Sequence, residues 1–395
     1  MTNIGSRSKR LWLADHLLRD GVGHHLGYNL ALAEAATDAG WQPHLVTHRK
    51  FDRTLANGRK TKRIFRTDWR ATPPRWIRGH WRVLKCLESF SVCRFGADLR
   101  KLDDEMRPSD IVLAQMLAPR HFLQWLKWIS RLPSPPHLAM HLGYQPHRFD
   151  PNAMKRRLAR MPSAIRNKIR LITDSQKLVV PFEEALGLRV HYLPHVVSYD
   201  FPAPETRPAA RPIVFFAPGN ARREKGFADV VRAAALLADQ RARGLVHFRI
   251  QCHQPDDESA DILDGKLPDE TGIEWIARRL SEAEYVDHIR RADVILLPYH
   301  LDCYELRTSG VFCEALAAGK PVITTEGSWL GDRIARDGGG WLTPERDPAA
   351  LAQRLPKVLD EIEKVSETAR VLAHAAREEF SHRRFLEGLL SVVAA

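Results

Sequence analysis

Chemistry on phosphate groups is indicated by the segment 307–314, which reads Arg-Thr-Ser-Gly-Val-Phe-Cys-Glu. Thr308 and Ser309 are residue types that cap helix N-termini, and Gly310 would let a ligand approach the backbone closely. The backbone N–H groups of the first turn of such a helix attract anions, and the helix dipole adds to that attraction. Arg307 adds a guanidinium that can bind a phosphate through two hydrogen bonds. The segment therefore predicts a phosphate site.

Glu314 lies about one turn inside the helix that this segment predicts. A carboxylate at that place could accept two hydrogen bonds from a ribose diol while the start of the helix holds a diphosphate. The alternative is an ordinary capped helix whose glutamate forms a salt bridge. The two interpretations differ in whether a nucleotide is bound.

A second candidate phosphate loop, 219–226, follows an apolar, strand-like stretch. Gly219 opens this loop, and Lys225 stands near its end beside another glycine. A lysine on a glycine-flanked loop after a strand is suited to clamping a phosphate. Arg222 and Arg223 precede it and could assist. Taken alone, such a basic run also fits an exposed, solvated loop.

In the N-terminal half, Gly21 and Gly23 follow the first predicted strand. They make a poor dinucleotide fingerprint, because His24 and His25 stand where the glycine spacing would have to continue. The second strand is followed by His-Arg-Lys at 48–50 rather than by an acid that could grip a ribose, which counts against NAD. We expect this loop to approach a transferred sugar and its leaving phosphate instead.

The elements that must position these residues alternate as strand, loop and helix, which predicts an α/β fold with parallel sheets. At 201–212, four prolines in twelve residues interrupt this alternation and predict a linker. We predict an N-terminal, acceptor-binding Rossmann-like domain at residues 1–200 and a proline-rich linker at 201–212. A C-terminal, nucleotide-sugar-binding Rossmann-like domain follows at 213–378. A final helix at 379–395 is predicted to cross back to the first domain. Two such domains are expected to face each other across a deep cleft and to present the loops at their strand ends to it.

The C-terminal half resembles the donor-binding part of glycosyltransferases with the GT-B fold, especially the retaining family 4. That family's pattern is a strand ending in proline, then E-x7-E and A-x-A-x-G-x-P-V. The matching positions here are Asp293 to Pro298, Glu314, Ala315, Ala317, Gly319, Pro321 and Val322. The resemblance implies that Glu314 binds the nucleotide ribose. The first glutamate of the pattern falls on Leu306, so either the loop shifts and uses Glu305, or Arg307 and backbone groups take over its role.

The same resemblance covers the first loop, since the family has G-R-x4-K-G after a strand. It implies that Lys225 neutralises the donor diphosphate, while Asn220 stands at the family's arginine position and Arg222 or Arg223 substitutes for it. His141 ends a predicted strand where the family commonly has a histidine close to the donor sugar and the acceptor. Without the resemblance, a lone histidine after an apolar run is more often structural.

The composition bounds the function classes. The chain has 395 residues, a net charge of +12 and five cysteines without CxxC spacing. Few cysteines and the lack of a signal-like N-terminus predict a reduced, cytoplasmic compartment. Residues 53–85 carry eleven Lys or Arg against one acid, interleaved with tryptophan. This stretch fits the inner face of an anionic membrane, single-stranded nucleic acid or an ordinary solvated surface.

The sequence thus predicts a glycosyltransferase that moves a sugar from a nucleotide sugar to a glycan or lipid-linked acceptor, in bacterial-type surface polysaccharide or glycolipid synthesis. The resemblance implies retention of the anomeric configuration without a protein nucleophile. No D-x-D triplet occurs, so no metal and no other cofactor is expected. The alternatives are a GT-B sugar-nucleotide epimerase or phosphorylase and, more remotely, a basic nucleic-acid-binding protein, although no nucleic-acid partner is expected.

Overall fold

The structure is a computed structural model that describes residues 9–21, 24–67, 81–115, 117–203, 212–265 and 270–395. The chain divides into two compact units, Met1–Pro194 with His382–Ala395 and His195–Ser381. The predicted linker falls mostly on 204–211, outside the described residues, as does Gly23 of the N-terminal glycine loop. The domain bounds drawn from the sequence stay predictions.

In its described part, the first unit has one parallel sheet in the strand order β3-β2-β1-β4-β5-β6-β7. The strands are β1 (Arg10–Ala14), β2 (Gln42–His48), β3 (Lys60–Phe65), β4 (Ile111–Ala114), β5 (His137–His141), β6 (Ile169–Thr173) and β7 (Val190–Tyr192). The central strands β1 and β4 are buried along their whole length. Continuous burial of this kind is expected where helices cover both faces of a parallel sheet.

The second unit repeats this plan with a parallel sheet in the order β10-β9-β8-β11-β12-β13. Its described strands are β8 (Ile213–Ala217), β9 (Val246–Gln251), β10 (Ile273–Ile276), β11 (Val294–Leu297), β12 (Val322–Thr325) and β13 (Gly340–Thr343). The predicted α/β class with two parallel sheets is confirmed.

Helices connect the strands of both units. In chain order the described helices are α1 (His24–Asp38), α2 (Trp81–Leu99), α3 (Phe122–Ile129), α4 (Pro151–Ala159), α5 (Ser163–Arg166), α6 (Gln176–Leu186), α7 (Phe227–Leu236), α8 (Ala238–Ala242), α9 (Asp257–Asp264), α10 (Glu282–Arg291), α11 (Leu301–Tyr304), α12 (Gly310–Ala317), α13 (Trp329–Asp337), α14 (Pro348–Glu379) and α15 (His382–Ala394). Helix α15 belongs to the first unit, where the Phe385 ring meets Tyr28 of α1 at 6.1 Å between centroids. Within the described ranges, no helix is both long and apolar enough to cross a membrane.

The strand order of each sheet reverses once, between β1 and β4 in the first unit and between β8 and β11 in the second. The loops that follow two such neighbouring strands diverge to opposite faces of the sheet and leave a crevice between them, where ligands of α/β proteins bind. In the second unit these are the loops after Ala217 and after Leu297, which contain both phosphate-type segments of the sequence.

Candidate functional site

The loop after β8 is fixed against the end of β11. It closes with the 3₁₀ turn Arg223–Lys225, and Gly226 then starts α7 with a left-handed φ of 66°. A Cβ atom at Gly226 would overlap the carbonyl oxygen of Pro298, so only glycine allows this approach. The backbone N–H of His300 donates to the Glu224 carbonyl over 3.0 Å. A backbone hydrogen bond therefore joins the two candidate loops at the place where the strand order of the sheet reverses.

Lys225 is half-buried in this loop and points its ammonium group at Gly219. A Cβ on Gly219, whose φ is 105°, would lie 2.7 Å from the lysine Nζ, so the missing side chain makes room for the cation. The Nζ atom also lies 5.7 Å from the centroid of the Tyr299 ring. Burial, together with repulsion from Arg222 and Arg307, lowers the pKa of Lys225 to about 8. Three cations, Lys225, Arg222 and Arg307, thus act on one place, where Glu224 and Glu314 offset their charge only in part. An excess of positive charge of this kind suits an anion.

The segment after α11 has the helix start that the sequence predicts. The Ser309 hydroxyl caps α12 by accepting from the Phe312 N–H over 3.3 Å, as the sequence suggested. The neighbouring Thr308 Oγ1 is buried and has no hydrogen-bond partner within the described residues. A Cβ on Gly310 would lie 2.9 Å from His195 Nε2, so the space that this glycine leaves on that side is filled by the His195 ring rather than left open to a ligand. The guanidinium of Arg307 lies 5.5 Å from the Tyr304 ring centroid.

Glu314 is buried one turn inside α12. Its Oε2 accepts a hydrogen bond of 2.6 Å from the hydroxyl of Tyr285 on α10. Burial raises the pKa of the Glu314 carboxyl, while the Tyr285 hydrogen bond and the charges of His195 and Lys225 act in the opposite direction. Lys225, Arg307 and Glu314 therefore belong to one electrostatically coupled cluster within the second unit.

The other residues predicted for this site are drawn into local contacts. The Arg223 guanidinium pairs with Asp302 over 2.7 Å, and its exposed neighbour Arg222 lies 3.6 Å from Glu224. The Asn220 amide donates to Gln254 over 3.4 Å. Glu305 is exposed at the C-terminal end of α11. Arg222 is among the charges that lower the pKa of Lys225, whereas Arg223 is tied to Asp302 and anchors the loop.

Sequence reasoning missed a buried contact between an aspartate and a histidine that supports the Lys225 loop. Asp229, in the first turn of α7, accepts a hydrogen bond of 2.8 Å from Nε2 of His300, which follows β11. Arg346 lies 3.4 Å from the other ring nitrogen and also pairs with Asp302. The position of His300, two residues after the proline that follows β11, could have marked it as a candidate site residue. Its partner could not be found from the sequence, because Asp229 lies 71 positions away.

In the first unit, the glycine loop leads into a different kind of cluster. Gly21 is exposed, and His24 begins α1. The adjacent His25 pairs through Nδ1 with Asp15 Oδ2 at 2.8 Å, and the amide of Asn29 donates to the same oxygen over 3.1 Å. Burial opposes the charge of Asp15, but the attraction and hydrogen bond of His25 outweigh it and lower the pKa of Asp15 to about 2. This loop thus lies beside a buried carboxylate, Asp15, that the sequence patterns did not single out.

His141 ends β5, as predicted, and is buried. Its Nε2 lies 3.7 Å from Asp174 Oδ1, which is longer than a hydrogen bond, and this buried nitrogen has no hydrogen-bond partner within the described ranges. Asp174 follows β6, so the two side chains meet at the carboxyl edge of the first sheet. The position suits a polar contact with a ligand as well as a structural role.

Comparison with known proteins decides the family of the second unit. Residues 211–361 match the sequence profile of the family described as glycosyl transferases group 1. These residues form a glycosyl transferases group 1 domain. The matched range contains Lys225, Arg307 and Glu314. The resemblance to glycosyltransferases drawn from the sequence is confirmed, as is the prediction of a glycosyltransferase enzyme, whereas the assignment to retaining family 4 stays a prediction.

One curated relative of the chain is 50% identical over 42 residues. It is described as a proposed colanic acid biosynthesis glycosyltransferase, WcaL, from Escherichia coli (strain K12). The match spans 11% of this chain and 10% of the relative.

Solved structures resemble the whole chain. A glycosyltransferase from Rickettsia africae ESF-5 has a TM-score of 0.67 at 16% identity, with 98% of each chain covered. Anabaena Alr3699/HepE in complex with UDP-glucose has a TM-score of 0.67 at 13% identity, covering 98% of this chain and all of that one. The trehalose-6-phosphate synthase OtsA has a TM-score of 0.68 at 11% identity, with 98% and 99% covered. At these identities the likeness concerns the fold, and it confirms the predicted GT-B class.

Proposed function

We propose that this chain transfers a sugar from a nucleotide-sugar donor to a glycan or lipid-linked acceptor, in the synthesis of a surface polysaccharide or glycolipid. The observation that carries this proposal is the convergence of Lys225, Arg307 and the capped start of α12 on one crevice, with Glu314 one turn away. Cations and helix N–H groups suit a diphosphate, and a buried carboxylate suits a ribose.

The proposed chemistry follows from where charge develops. When the bond between the sugar and the diphosphate breaks, negative charge grows on the leaving phosphate oxygen. The Lys225 ammonium is already held in place by Gly219 and Tyr299, so it can stabilise that charge without first reorganising. We propose transfer with retention of configuration and without a metal, and we assign acceptor binding to the first unit, where Asp15 and His141 lie at strand ends.

Related proteins support the choice of donor and pathway class. Anabaena Alr3699/HepE is described in complexes with UDP and with UDP-glucose. WcaL is described as acting in colanic acid biosynthesis, which is a polysaccharide pathway. Both descriptions belong to those proteins, and they make uridine nucleotides the first donors to test here.

The experiment begins with thermal-shift measurements against UDP-, GDP- and ADP-sugars and the matching nucleoside diphosphates. The sugar nucleotide that stabilises the protein is then incubated with glycan and lipid-linked acceptors, and nucleoside diphosphate release is measured. Release that requires an acceptor supports transfer, whereas conversion of the donor without an acceptor supports an epimerase. Proton NMR of the product reports whether the anomeric configuration is retained, and activity in the presence of EDTA tests metal independence. The absence of stabilisation by any sugar nucleotide would contradict the proposal.

A surface of the first unit supports a peripheral membrane contact for lipid-linked acceptors. Val83, Leu87 and Phe90 are 45%, 50% and 65% exposed on α2, and their spacing places them on one face of the helix. We propose that this face meets the cytoplasmic side of a membrane and that the basic residues of 53–85 meet anionic head groups. Of that basic stretch, 68–80 lies outside the described residues.

A further inference from the structure

The hydrogen bond between Tyr285 and Glu314 occupies part of the carboxylate that the proposed function assigns to the donor ribose. The two residues are 29 positions apart, and the Tyr285 hydroxyl lies 2.6 Å from Glu314 Oε2. The tyrosine is half-buried on α10, whose start is fixed by a capping box between Ser281 and Glu284. The contact is therefore made by a side chain on a well-anchored helix.

The groups around this hydrogen bond keep Tyr285 as its donor and Glu314 as its acceptor. Burial and the adjacent Glu314 carboxylate raise the pKa of Tyr285 well above its usual range, so the phenol remains a donor at all ordinary pH values. The ring of Tyr199 packs against that of Tyr285 with 5.3 Å between centroids and restricts its movement. A hydrogen bond from a neutral hydroxyl to a carboxylate is stronger than one between neutral groups. A ribose hydroxyl would have to compete with it to occupy the same lone pair.

The two oxygens of Glu314 are consequently unequal. Oε2 has one acceptor site filled by Tyr285, whereas in the part of the chain that the structure describes Oε1 accepts no side-chain or backbone hydrogen bond. A ribose has two adjacent hydroxyls, and an undivided carboxylate could bind both of them. We propose that Tyr285 is a specificity-determining residue, which makes Glu314 bind one hydroxyl of the donor's ribose much more strongly than the other. This inference rests on the proposed function, because it needs a ribonucleotide at Glu314.

The test compares nucleotides that lack one hydroxyl. Isothermal titration first identifies which of UDP, GDP and ADP binds most tightly, and the 2′-deoxy and 3′-deoxy forms of that nucleotide are then titrated. We expect the wild-type protein to lose about tenfold in affinity for one deoxy form and less than about twofold for the other. Equal losses for the two forms would overturn the inference.

Two tyrosine variants separate the hydroxyl from the ring. Tyr285→Phe keeps the aromatic packing and releases Oε2, so the previously tolerated deoxy form should now lose about tenfold relative to the ribonucleotide. Tyr199→Phe is the matched control, because it also removes a hydroxyl from this aromatic pair. In the described structure, the Tyr199 hydroxyl is not a hydrogen-bond partner of Glu314. It should keep the wild-type pattern. In a Glu314→Gln background, Tyr285→Phe should have less than about twofold effect on the pattern.

The outcomes distinguish a failure of the proposed donor site from a failure of the role of Tyr285 alone. If none of the three nucleoside diphosphates binds the wild-type protein, the proposed function fails and the role of Tyr285 fails with it. If one binds but Tyr285→Phe leaves the discrimination unchanged, only the role of Tyr285 is overturned and the donor site stands. Circular dichroism of each variant shows whether a change in affinity accompanies a change in folding.

Discussion

Replacement of Lys225 by methionine should remove a specific dependence of nucleotide binding on pH. Methionine keeps most of the apolar length of the lysine but cannot carry charge. Burial lowers the pKa of Lys225 to about 8, so about nine-tenths of the ligand-free protein carries this charge at pH 7 and about one-tenth at pH 9. A bound diphosphate requires the charged form and raises its pKa. The affinity of the wild-type protein for a nucleoside diphosphate should therefore fall about tenfold between pH 7 and pH 9.

The variant should bind more weakly at pH 7 and show little change up to pH 9, since the arginines at the site remain charged throughout. Titration calorimetry from pH 6 to pH 10 at constant ionic strength measures both curves. Turnover should also fall at least about a hundredfold, the usual effect of removing one preorganised charge stabiliser. Lys364→Met is the control, because Lys364 is exposed on α14. A flat wild-type curve, or a Lys225→Met curve that keeps the wild-type slope, would refute the assignment of Lys225.

The same substitution should stabilise the ligand-free protein. The pKa of Lys225 falls from 10.5 to about 8 on folding, so the folded state disfavours the charged form. This penalty is complete below pH 8 and is relieved as the pH rises from 8 to 10.5. At about 1.4 kcal/mol per pKa unit it reaches at most about 3.5 kcal/mol. Lys225→Met should therefore unfold at a higher temperature than the wild type at pH 7, and the difference should shrink by pH 10.

Three further predictions concern other parts of the chain. Gly226→Ala should cost at least about 2 kcal/mol of stability, because its Cβ would meet a carbonyl oxygen, whereas Gly244→Ala, at a similar φ but with open space around it, should cost about 1 kcal/mol in the same denaturation assay. Asp15→Asn should lower the unfolding free energy by about 1–3 kcal/mol at pH 7, and because the pKa of Asp15 is lowered to about 2, the difference from wild type should vanish as the pH falls from 4 to 2; equal stability at pH 7 would contradict this. Phe90→Glu should weaken co-sedimentation with anionic vesicles several-fold, whereas Leu236→Glu, at a comparably exposed leucine of α7, should not; equal binding of both variants would count against the membrane contact.

Local chemistry in the sequence was sufficient to predict the parts of the site that lie on one loop or one helix start. The capping serine, the lysine between two glycines and the glutamate one turn into α12 each follow from residue type and spacing over a few positions. The alternation of strand and helix likewise predicted two parallel sheets, because continuous apolar runs such as 294–297 are typical of strands covered on both faces.

Contacts between distant segments could not be predicted in the same way. Asp229 meets His300 because the sheet order places β8 beside β11, and Tyr285 meets Glu314 because the helices before and after β11 pack near each other. Spacing also gave an incomplete account of Gly310, whose missing side chain makes room for His195. His195 and Gly310 are more than a hundred residues apart, and no periodicity in the sequence indicates that they meet.

The site holds both of its principal charged groups in surroundings that disfavour their charge. Burial lowers the pKa of Lys225 and raises that of Glu314, so each group is less stable as an ion than it would be in water. Low polarity also strengthens every interaction that such an ion makes with a ligand. A diphosphate beside Lys225 and a hydroxyl beside Glu314 would each stabilise the charged form that burial disfavours. The destabilisation of these two charged groups and the strength of their binding to a ligand therefore have one physical origin, and a variant that raises stability at Lys225 should lose affinity there.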